Sequence, residues 1–270
     1  MQEYYYELVV KPEENLDFFS SLLLEVTSSA IEEKEGSIIV RSEDELDDIA
    51  WIVKEAAKKL GIKVDISLEK KENEDWINKY KSSIKPVKIS SFYIRPEWID
   101  EEKDFTNIII NPALAFGSGH HESTSSCIEL IDRYVKENQT VLDVGTGSGI
   151  LAICAAKKGA KVDICDTDEL AVESAKENFQ LNSVKYENAW VGSANNATKS
   201  YDIVIANIIA DIIIMINRDL KKAVNESGYL ILSGIIDKYF DKVKDKFSDF
   251  ELVEHIEKGE WHTLMLQKRE

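Results

Sequence analysis

Hydrophobic and polar positions along the first seventy residues predict a short series of alternating strands and helices. One helix begins after Pro12, and a second spans residues 44–60, where Gly61 ends it. Three strands surround these helices, at residues 4–10, 37–40 and 62–68. A series of this length predicts a small α+β domain over residues 1–68.

Polar residues dominate the stretch that follows. Residues 69–83 are highly charged and predict a linker, in which Trp76 and Tyr80 are spaced to dock on one apolar surface. Extended apolar segments then lead into a second domain, which we predict over residues 84–270.

From Thr140 onward, short apolar strands alternate with helices. The strands are predicted at residues 140–143, 161–166, 184–191, 202–206 and 228–233, and the helices at 150–158, 169–181, 211–224 and 238–247. Two closing strands flank Gly259 and predict a hairpin. Buried strands joined by helices predict an α/β fold with a doubly wound, mostly parallel sheet, and the hairpin adds an antiparallel edge.

Acidic residues outnumber basic ones 50 to 33, which gives a formal net charge of −17. The first seventy residues carry 17 acidic and eight basic side chains, about half of this excess. A phosphate-binding surface needs clustered Lys and Arg, so we expect no direct binding of nucleic acid. The excess favours a cationic or neutral partner, although solubility alone also accounts for it.

Cysteine usage and apolar runs indicate the cellular compartment. The three cysteines form no C-x-x-C pair, which is typical of a reducing environment. The first residues lack the features of a signal peptide, and Asn207 and Asp211 interrupt the most apolar stretch, 203–216. We therefore expect a cytoplasmic protein without a membrane anchor.

A strand that runs into three alternating glycines is the most specific local signal. Gly145, Gly147 and Gly149 follow Asp143 and precede a helix, so the backbone can approach a ligand closely there. The dinucleotide fingerprint G-x-G-x-x-G/A fails because its sixth position is Ile150. The spacing resembles the first motif of class I S-adenosylmethionine-dependent methyltransferases, and the alternative is a tight strand–helix turn without a ligand.

Two further strands end in side chains suited to binding. Asp166 ends the strand after the glycine loop, where a carboxylate can accept both hydroxyls of a ribose, while Asp168 is suited to cap the next helix. Asn207 ends an apolar strand, and its amide can hold a target amine for methylation. The alternative for Asn207 is a helix cap.

A segment rich in small and polar residues, 111–124, precedes the glycine loop. Its Gly-Ser-Gly sequence suggests a loop over a ligand, and Ser123 and Thr124 are suited to cap the helix predicted over residues 124–135. His120 and His121 are adjacent, but no cluster of carboxylates and cysteines accompanies them, so we expect no metal site.

At these residues the chain resembles the ribosomal protein L11 methyltransferase family. The family pattern D-P-G-x-A-F-G-T-G-x-H-x-T-T here reads N-P-A-L-A-F-G-S-G-H-H-E-S-T, and its L-D-x-G-x-G-S-G-I-L-A-I and A-N-I-L read L-D-V-G-T-G-S-G-I-L-A-I and A-N-I-I. A closing G-E-W and the upstream sequences D-W and K-P-V also match. The resemblance covers about residues 75–268, whereas the first seventy residues match only in their element order.

The resemblance implies a seven-stranded methyltransferase sheet and a ferredoxin-like N-terminal domain that recognises the substrate. It implies that S-adenosyl-L-methionine is the cofactor and that the glycine loop binds it. The residues implied to contact the cofactor or line its site are Thr124, Gly145, Gly147, Asp166, Asn207, Phe116 and His121. Asn207 would also be the catalytic residue that positions the amine. The implied substrate is a basic ribosomal protein, methylated on its N-terminal amine and on lysines by an enzyme that we expect to be a monomer.

Two alternatives remain open at this point. The chain is also compatible with a methyltransferase for nucleic-acid amino groups or for another protein lysine. Ile208 and Ile209 follow Asn207, however, where base-modifying enzymes carry a Pro-Pro-aromatic platform. A non-catalytic cofactor-binding module is the other alternative.

Overall fold

The structure is a computed structural model that describes residues 4–27, 29, 31–34, 36–72, 84–110 and 121–269. The chain divides into two compact units, Met1–Ile84 and Lys85–Glu270. Phe116, Trp76 and Tyr80 lie outside the described residues, as do most of the predicted linker and residues 111–120. Among the residues that are described, no helix is both long and apolar enough to cross a bilayer.

The first unit is a four-stranded antiparallel sheet with two helices. Its elements are β1 (Tyr4–Pro12), α1 (Leu16–Val26), β2 (Ile31–Lys34), β3 (Ser37–Ser42), α2 (Asp47–Leu60) and β4 (Val64–Glu72), and the strand order is β2-β3-β1-β4. Gly61 ends α2 in a left-handed conformation, as predicted. Strand β2 was not predicted, because its Ile-Glu-Glu-Lys sequence has a single apolar residue and lies at an edge of the sheet.

One apolar core holds the first unit together. Leu8 on the central strand β1 pairs with Val40 of β3 and with Leu68 of β4. Phe19 of α1 and Val53 of α2 are fully buried in the same cluster. The helices therefore cover one face of this sheet, which is the arrangement that an amphipathic helix on a half-buried strand favours.

The second unit contains a seven-stranded sheet and a smaller three-stranded sheet. The small sheet is formed by β5 (Val87–Ile89), β6 (Phe92–Arg95) and β7 (Thr106–Ile109). The large sheet is formed by β8 (Thr140–Val144), β9 (Lys161–Asp166), β10 (Asn188–Val191), β11 (Tyr201–Asn207), β12 (Val224–Ile236), β13 (Phe250–Lys258) and β14 (Trp261–Lys268). Its helices are α3 (Glu122–Tyr134), α4 (Ile150–Lys157), α5 (Glu169–Leu181), α6 (Ala210–Met215), α7 (Asn217–Ala223) and α8 (Asp237–Lys246).

The large sheet has the order β10-β9-β8-β11-β12-β14-β13. Strands β8 to β12 pair in parallel, and only β14 runs antiparallel to its neighbours β12 and β13. The mostly parallel sheet is confirmed. The closing hairpin forms an antiparallel edge, as predicted: β14 inserts between β12 and β13, pairs antiparallel with both, and leaves β13 outermost.

Both faces of this sheet are covered by helices. Successive residues of β11 alternate between two cores: Ile203 and Ile205 pack on one side with α3, α4 and α5, and Val204 and Ala206 on the other with α6, α7 and α8. The predicted helix over 211–224 is divided into α6 and α7 at Ile216. Residues 212–216 are all apolar, so the hydrophobic pattern gives no sign that one helix ends and another begins there.

Candidate active site

The carboxyl ends of β8, β9 and β11 meet around a cavity of about 540 Å³ in the second unit. Parallel strands end on the same side of a sheet, so loops that follow them face one another there. Six of the residues singled out in the sequence line this cavity: His121, Thr124, Gly145, Gly147, Asp166 and Asn207. Phe116 lies in the undescribed segment before α3.

The glycine loop turns sharply from β8 into α4. The N–H groups of Gly145 and Thr146 both donate to the carbonyl of Cys165, at 2.9 and 3.0 Å, which ties the loop to β9. Gly145 has φ +74°, and a Cβ there would lie 2.3 Å from Cγ2 of Ile208. A side chain at this position would therefore collide with the cavity wall as well as strain the backbone.

Asp166 braces this loop from the end of β9. Its Oδ2 accepts a hydrogen bond from the N–H of Gly147 at 3.0 Å, and its Oδ1 accepts one from the N–H of Asp168 at 3.1 Å. A carboxylate offers about four lone-pair positions, so two remain for a ligand. Asp168 itself caps α5 by accepting from the N–H of Leu170 at 2.9 Å, which confirms its predicted capping role.

Asp143 supports the loop from beneath. Its side chain is 1% exposed, and its Oδ2 accepts a hydrogen bond from the Thr146 hydroxyl at 2.8 Å. The Oδ1 atom has no hydrogen-bond partner among the described residues. Burial raises the pKa of Asp143 to about 7, because a charged carboxylate is poorly solvated inside the protein.

Thr124 and Asn207 come together from distant parts of the chain. The side-chain amide of Asn207 donates through Nδ2 to the Thr124 hydroxyl at 3.2 Å. Asn207 caps no helix, since α6 begins after Ile209 without a side-chain cap. With Nδ2 engaged by Thr124, Oδ1 is the amide atom that remains to accept a hydrogen bond from a ligand.

The first turn of α3 carries Thr124 to the cavity. The N-terminal cap is His121, not Ser123 or Thr124 as the sequence suggested: its Nδ1 accepts from the N–H of Ser123 at 3.3 Å. The hydroxyl of Ser233 on β12 donates to the carbonyl of Ser123 at 3.2 Å and so anchors this turn to the sheet. Thr124 is 1% exposed, and its hydroxyl is therefore held in place by surrounding protein.

An apolar wall closes one side of the cavity and was not assigned to the site from the sequence. It comes from the segment after Asn207 and from α6, and it is formed by Ile208, Ile209, Ile212, Met215 and Ile216. Two of these side chains are largely exposed, Ile209 at 66% and Met215 at 69%. Exposed large apolar side chains beside a cavity are typical of a surface that contacts a ligand or partner.

Two aromatic side chains also line the cavity. The rings of His121 and Trp261 meet edge to face, with centroids 4.5 Å apart, and both residues line the cavity. The sequence indicates Trp261 only through the G-E-W resemblance, and its place beside His121 depends on the insertion of β14 next to β12. Gly234 of β12 also lines the cavity, close against the backbone of Ile208.

The chemistry of the lining determines which ligands fit. The described residues around the cavity include no Lys or Arg, so nothing there neutralises a pyrophosphate. Asp166 supplies a carboxylate for hydroxyl groups, and the rest of the surface is apolar with single hydroxyl and amide groups. These donors and acceptors suit S-adenosylmethionine, which has a ribose and an adenine but no phosphate.

Comparisons with known proteins agree with this chemistry. The family model described as ribosomal protein L11 methyltransferase matches residues 14–269. A ribosomal protein L11 methyltransferase from Nitratiruptor sp. is 52% identical over 273 residues, covering 99% of this chain and 97% of that protein. One from Campylobacter concisus is 49% identical over 267 residues, covering 97% of this chain and 96% of that protein.

Solved structures extend the comparison to the fold. The crystal structure of a ribosomal protein L11 methylase from Lactobacillus delbrueckii subsp. bulgaricus superposes with a TM-score of 0.65 at 32% identity, covering 68% of this chain and 99% of that one. A methyltransferase from Pyrococcus furiosus has a TM-score of 0.50 at 18% identity, over 60% of this chain and 89% of that one, and shares the fold alone. The chain therefore has an α/β methyltransferase-like fold.

Proposed function

Because the chain belongs to the ribosomal protein L11 methyltransferase family and is therefore an S-adenosylmethionine-dependent methyltransferase, we propose that it methylates amino groups of a ribosomal protein, the large-subunit protein L11. The observation that carries this proposal is the Asn207–Thr124 pair, which lies in the same cavity as the glycine loop and Asp166. That cavity can hold a methyl donor and present an amide acceptor to an amine.

S-adenosylmethionine supplies, when bound, a methyl group on a positively charged sulfonium. In our proposal Asp166 accepts hydrogen bonds from the ribose hydroxyls while its two backbone contacts keep the loop in place. Gly145 and Gly147 line the cavity without side chains, and Thr124 and His121 form its wall. Phe116 keeps its predicted role as a lining residue, although it lies outside the described residues.

Asn207 then positions the amine. Its Oδ1 accepts a hydrogen bond from a neutral amine and orients the nitrogen lone pair toward the methyl group, and such orientation supplies several kcal/mol of a barrier, roughly 7–11 in the best intramolecular cases. Its hydrogen bond to Thr124 fixes the plane of the amide. Asp166 is the one carboxylate among the described lining residues, so we propose that the amine loses its proton before it enters.

The apolar wall suits a lysine side chain. Four methylene groups precede the lysine amine, and Ile209 and Met215 offer exposed apolar surface beside Asn207. Contact with such a wall desolvates the chain of methylenes and lets a neutral amine approach. A flipped base would instead need an aromatic stacking platform after Asn207, where Ile208 and Ile209 stand.

We infer that the first unit is a ferredoxin-like domain that recognises the substrate. Its element order β1-α1-β2-β3-α2-β4 and its strand order support this assignment. Five exposed acidic residues lie just before α2 and in its first turn: Glu43, Asp44, Glu45, Asp47 and Asp48. These charges would attract a lysine-rich protein and raise its association rate.

The proposed function is tested by incubating the purified chain with S-adenosylmethionine labelled on its methyl group and with ribosomal protein L11, ribosomal RNA or both. We expect label on lysines and on the N-terminal amine of the protein. Replacing the five acids of the first unit by lysine should slow this labelling, most strongly at low salt. Replacing the exposed Glu226 and Glu251 of the second unit by lysine should leave the labelling rate unchanged.

Two results would contradict the proposal. Label on the RNA would favour a nucleic-acid methyltransferase, and cofactor binding without transfer to any substrate would favour a binding module. Equal effects of both sets of charge reversals would assign the acidic excess to solubility alone.

A further inference from the structure

The hairpin formed by β13 and β14 carries a second cluster of reactive side chains away from the cavity lining. His255 and Glu257 are two residues apart on β13, and Glu257 pairs directly with His262 on β14. Residues two apart on a strand point to the same face, and so do directly paired residues. One ligand atom from each of the three side chains lies within 4.8 Å of the others.

His262 is already held as a metal-binding histidine usually is. Its Nε2 lies 2.8 Å from Oδ1 of Asp237, at the start of α8, and its side chain is nearly buried. A carboxylate at this distance accepts the N–H of Nε2, which makes Nδ1 the acceptor nitrogen of the ring. That Nδ1 atom accepts a hydrogen bond from Nε2 of His255 at 2.9 Å, and a bound ion would replace this bond.

Phe240 of α8 fixes the two imidazoles against the protein. Its ring stacks on His255 with centroids 4.8 Å apart, and it lies 4.5 Å from the ring of His262. The two imidazoles are nearly coplanar, with centroids 5.1 Å apart and their nitrogens facing each other. The apolar support restricts both rings, while His255 and Glu257 remain exposed, so an ion in solution can reach them.

We propose that His255, Glu257 and His262 bind one divalent zinc ion, with Asp237 as the carboxylate that orients His262. Two imidazole nitrogens and one carboxylate oxygen are ligands that zinc prefers, and water can fill a fourth position. Magnesium and calcium prefer sites made only of oxygen atoms. Nitrogens bound to one tetrahedral zinc ion are about 3.3 Å apart, so the exposed ring of His255 would move outward by about 0.4 Å and turn until its nitrogen points at the ion instead of at His262.

Such an ion would join three elements of the second unit. It would link β13 to β14 directly and, through Asp237, to α8. Trp261 precedes His262 on β14 and packs on His121 in the cavity wall. The site is thus placed to stabilise the β14 side of the cavity without contributing a ligand atom to it.

The sequence itself contains a signal for this cluster. H-x-E before a hairpin turn and a histidine just after it place three ligands on one face. The expectation of no metal rested on His120 and His121, and it left the pairing of β13 with β14 out of account.

Zinc binding to the full chain, without a histidine tag and after treatment with a chelator, tests this proposal. Titration with Zn²⁺ alone, followed by calorimetry, should show one ion per chain, and Co²⁺ should give the absorption of a site with two nitrogen ligands. His255→Ala and Glu257→Gln should each weaken zinc binding at least tenfold, since both residues are exposed and their loss leaves the core intact. Glu251→Gln, an exposed change on the same strand, should leave the affinity unchanged.

Cysteine does not compete in this experiment, because all three cysteines are buried and unpaired. Substoichiometric binding, or equal affinity of the wild type and His255→Ala, would overturn the proposal. Loss of binding in a His120→Asn/His121→Asn double variant, with His255→Ala unaffected, would also overturn it and assign zinc to the adjacent pair.

Discussion

The amide of Asn207 and the hydroxyl of Thr124 lie 3.2 Å apart although 83 positions separate them in the sequence. This contact joins the end of β11 to the first turn of α3, and both residues line the cavity. The hydroxyl of Thr124 therefore holds the amide of Asn207 in the orientation that leaves its oxygen available to a ligand.

Asn207→Ala should lower kcat about 100-fold while the dissociation constant of S-adenosylmethionine changes by less than threefold, because orientation of the amine is lost but most cofactor contacts remain. Thr124→Val keeps the side-chain volume and removes the hydroxyl, so it should lower kcat less than Asn207→Ala does. Thr124→Ser keeps the hydroxyl and should have a kcat near that of the wild type. Single-turnover kinetics and calorimetry separate the two quantities. Equal losses of kcat and cofactor affinity in Asn207→Ala would contradict the assigned role.

Gly145→Ala should weaken cofactor binding about tenfold, because its Cβ meets Cγ2 of Ile208 and its φ of +74° is unfavourable for alanine. Adding Ile208→Ala removes the colliding methyl group and should recover part of the loss, while the backbone strain stays. Calorimetric titration of the single and double variants measures both effects. A double variant no better than Gly145→Ala would show that the collision is not the cause.

Asp166→Asn should weaken S-adenosylmethionine binding about 10- to 100-fold, because an amide replaces charge-assisted hydrogen bonds to the ribose with weaker ones. The same substitution at Asp168 is the matched control. Asparagine caps a helix as well as aspartate does, so Asp168→Asn should leave cofactor affinity unchanged. If both variants bind S-adenosylmethionine with equal affinity, the role of Asp166 is confined to holding the glycine loop.

Ile209→Glu and Met215→Glu should raise KM for the protein substrate at least tenfold at saturating cofactor, because they place charge on the proposed lysine-binding wall. Leu170 is exposed to a similar extent, 73%, on α5 outside this wall, so Leu170→Glu serves as the control. Steady-state assays with ribosomal protein L11 measure KM for the three variants. An unchanged KM in both wall variants would remove this surface from substrate binding.

Asp143 should make the stability of the second unit depend on pH. Burial raises its pKa to about 7, so the folded state binds more protons than the unfolded state between about pH 4 and 7, and stability falls as the pH rises through that range. Asp143→Asn removes this dependence. The free energy of unfolding of the variant, measured relative to that of the wild type, should therefore rise by up to about 4 kcal/mol as the pH increases from 4 to 8. Urea unfolding at several pH values measures the difference.

Asp202 provides the control for that experiment. Burial would raise its pKa, but hydrogen bonds from Thr140 and Asn225 outweigh burial and lower it. Its stabilising contribution is therefore complete above the ordinary carboxyl pKa and is lost only in acid. The cost of Asp202→Asn should be the same at pH 5 and pH 8, and parallel pH profiles of wild type and Asp143→Asn would contradict the account of Asp143.

Much of the second unit was predictable because its strands are short apolar runs bounded by clear signals. The bounds of β9 and α5 match the predicted 161–166 and 169–181, and Asp168 caps α5 as expected. The glycine loop, Asp166 and Asn207 could be assigned to one place because the carboxyl ends of parallel strands share an edge of the sheet. Local pattern and one topological rule were sufficient for these features.

Other features depend on neighbours that no local pattern names. Strand β2 exists because β3 offers an edge to pair with, and β7 because β6 does. His121 rather than Ser123 caps α3, and this choice depends on how the chain enters the helix. The division between α6 and α7 follows the packing of apolar residues that were equally suited to one continuous helix.

The sequence by itself determined which residues are candidates for the site, because a glycine loop, an acidic strand end and an amide strand end are each encoded within a few consecutive positions. The tertiary structure alone decided which distant side chains meet. Insertion of β14 beside β12 brings Trp261 to His121, and packing of α3 on the sheet brings Thr124 to Asn207. These contacts depend on strand order and helix packing, which arise from burial over the whole chain rather than from local preference.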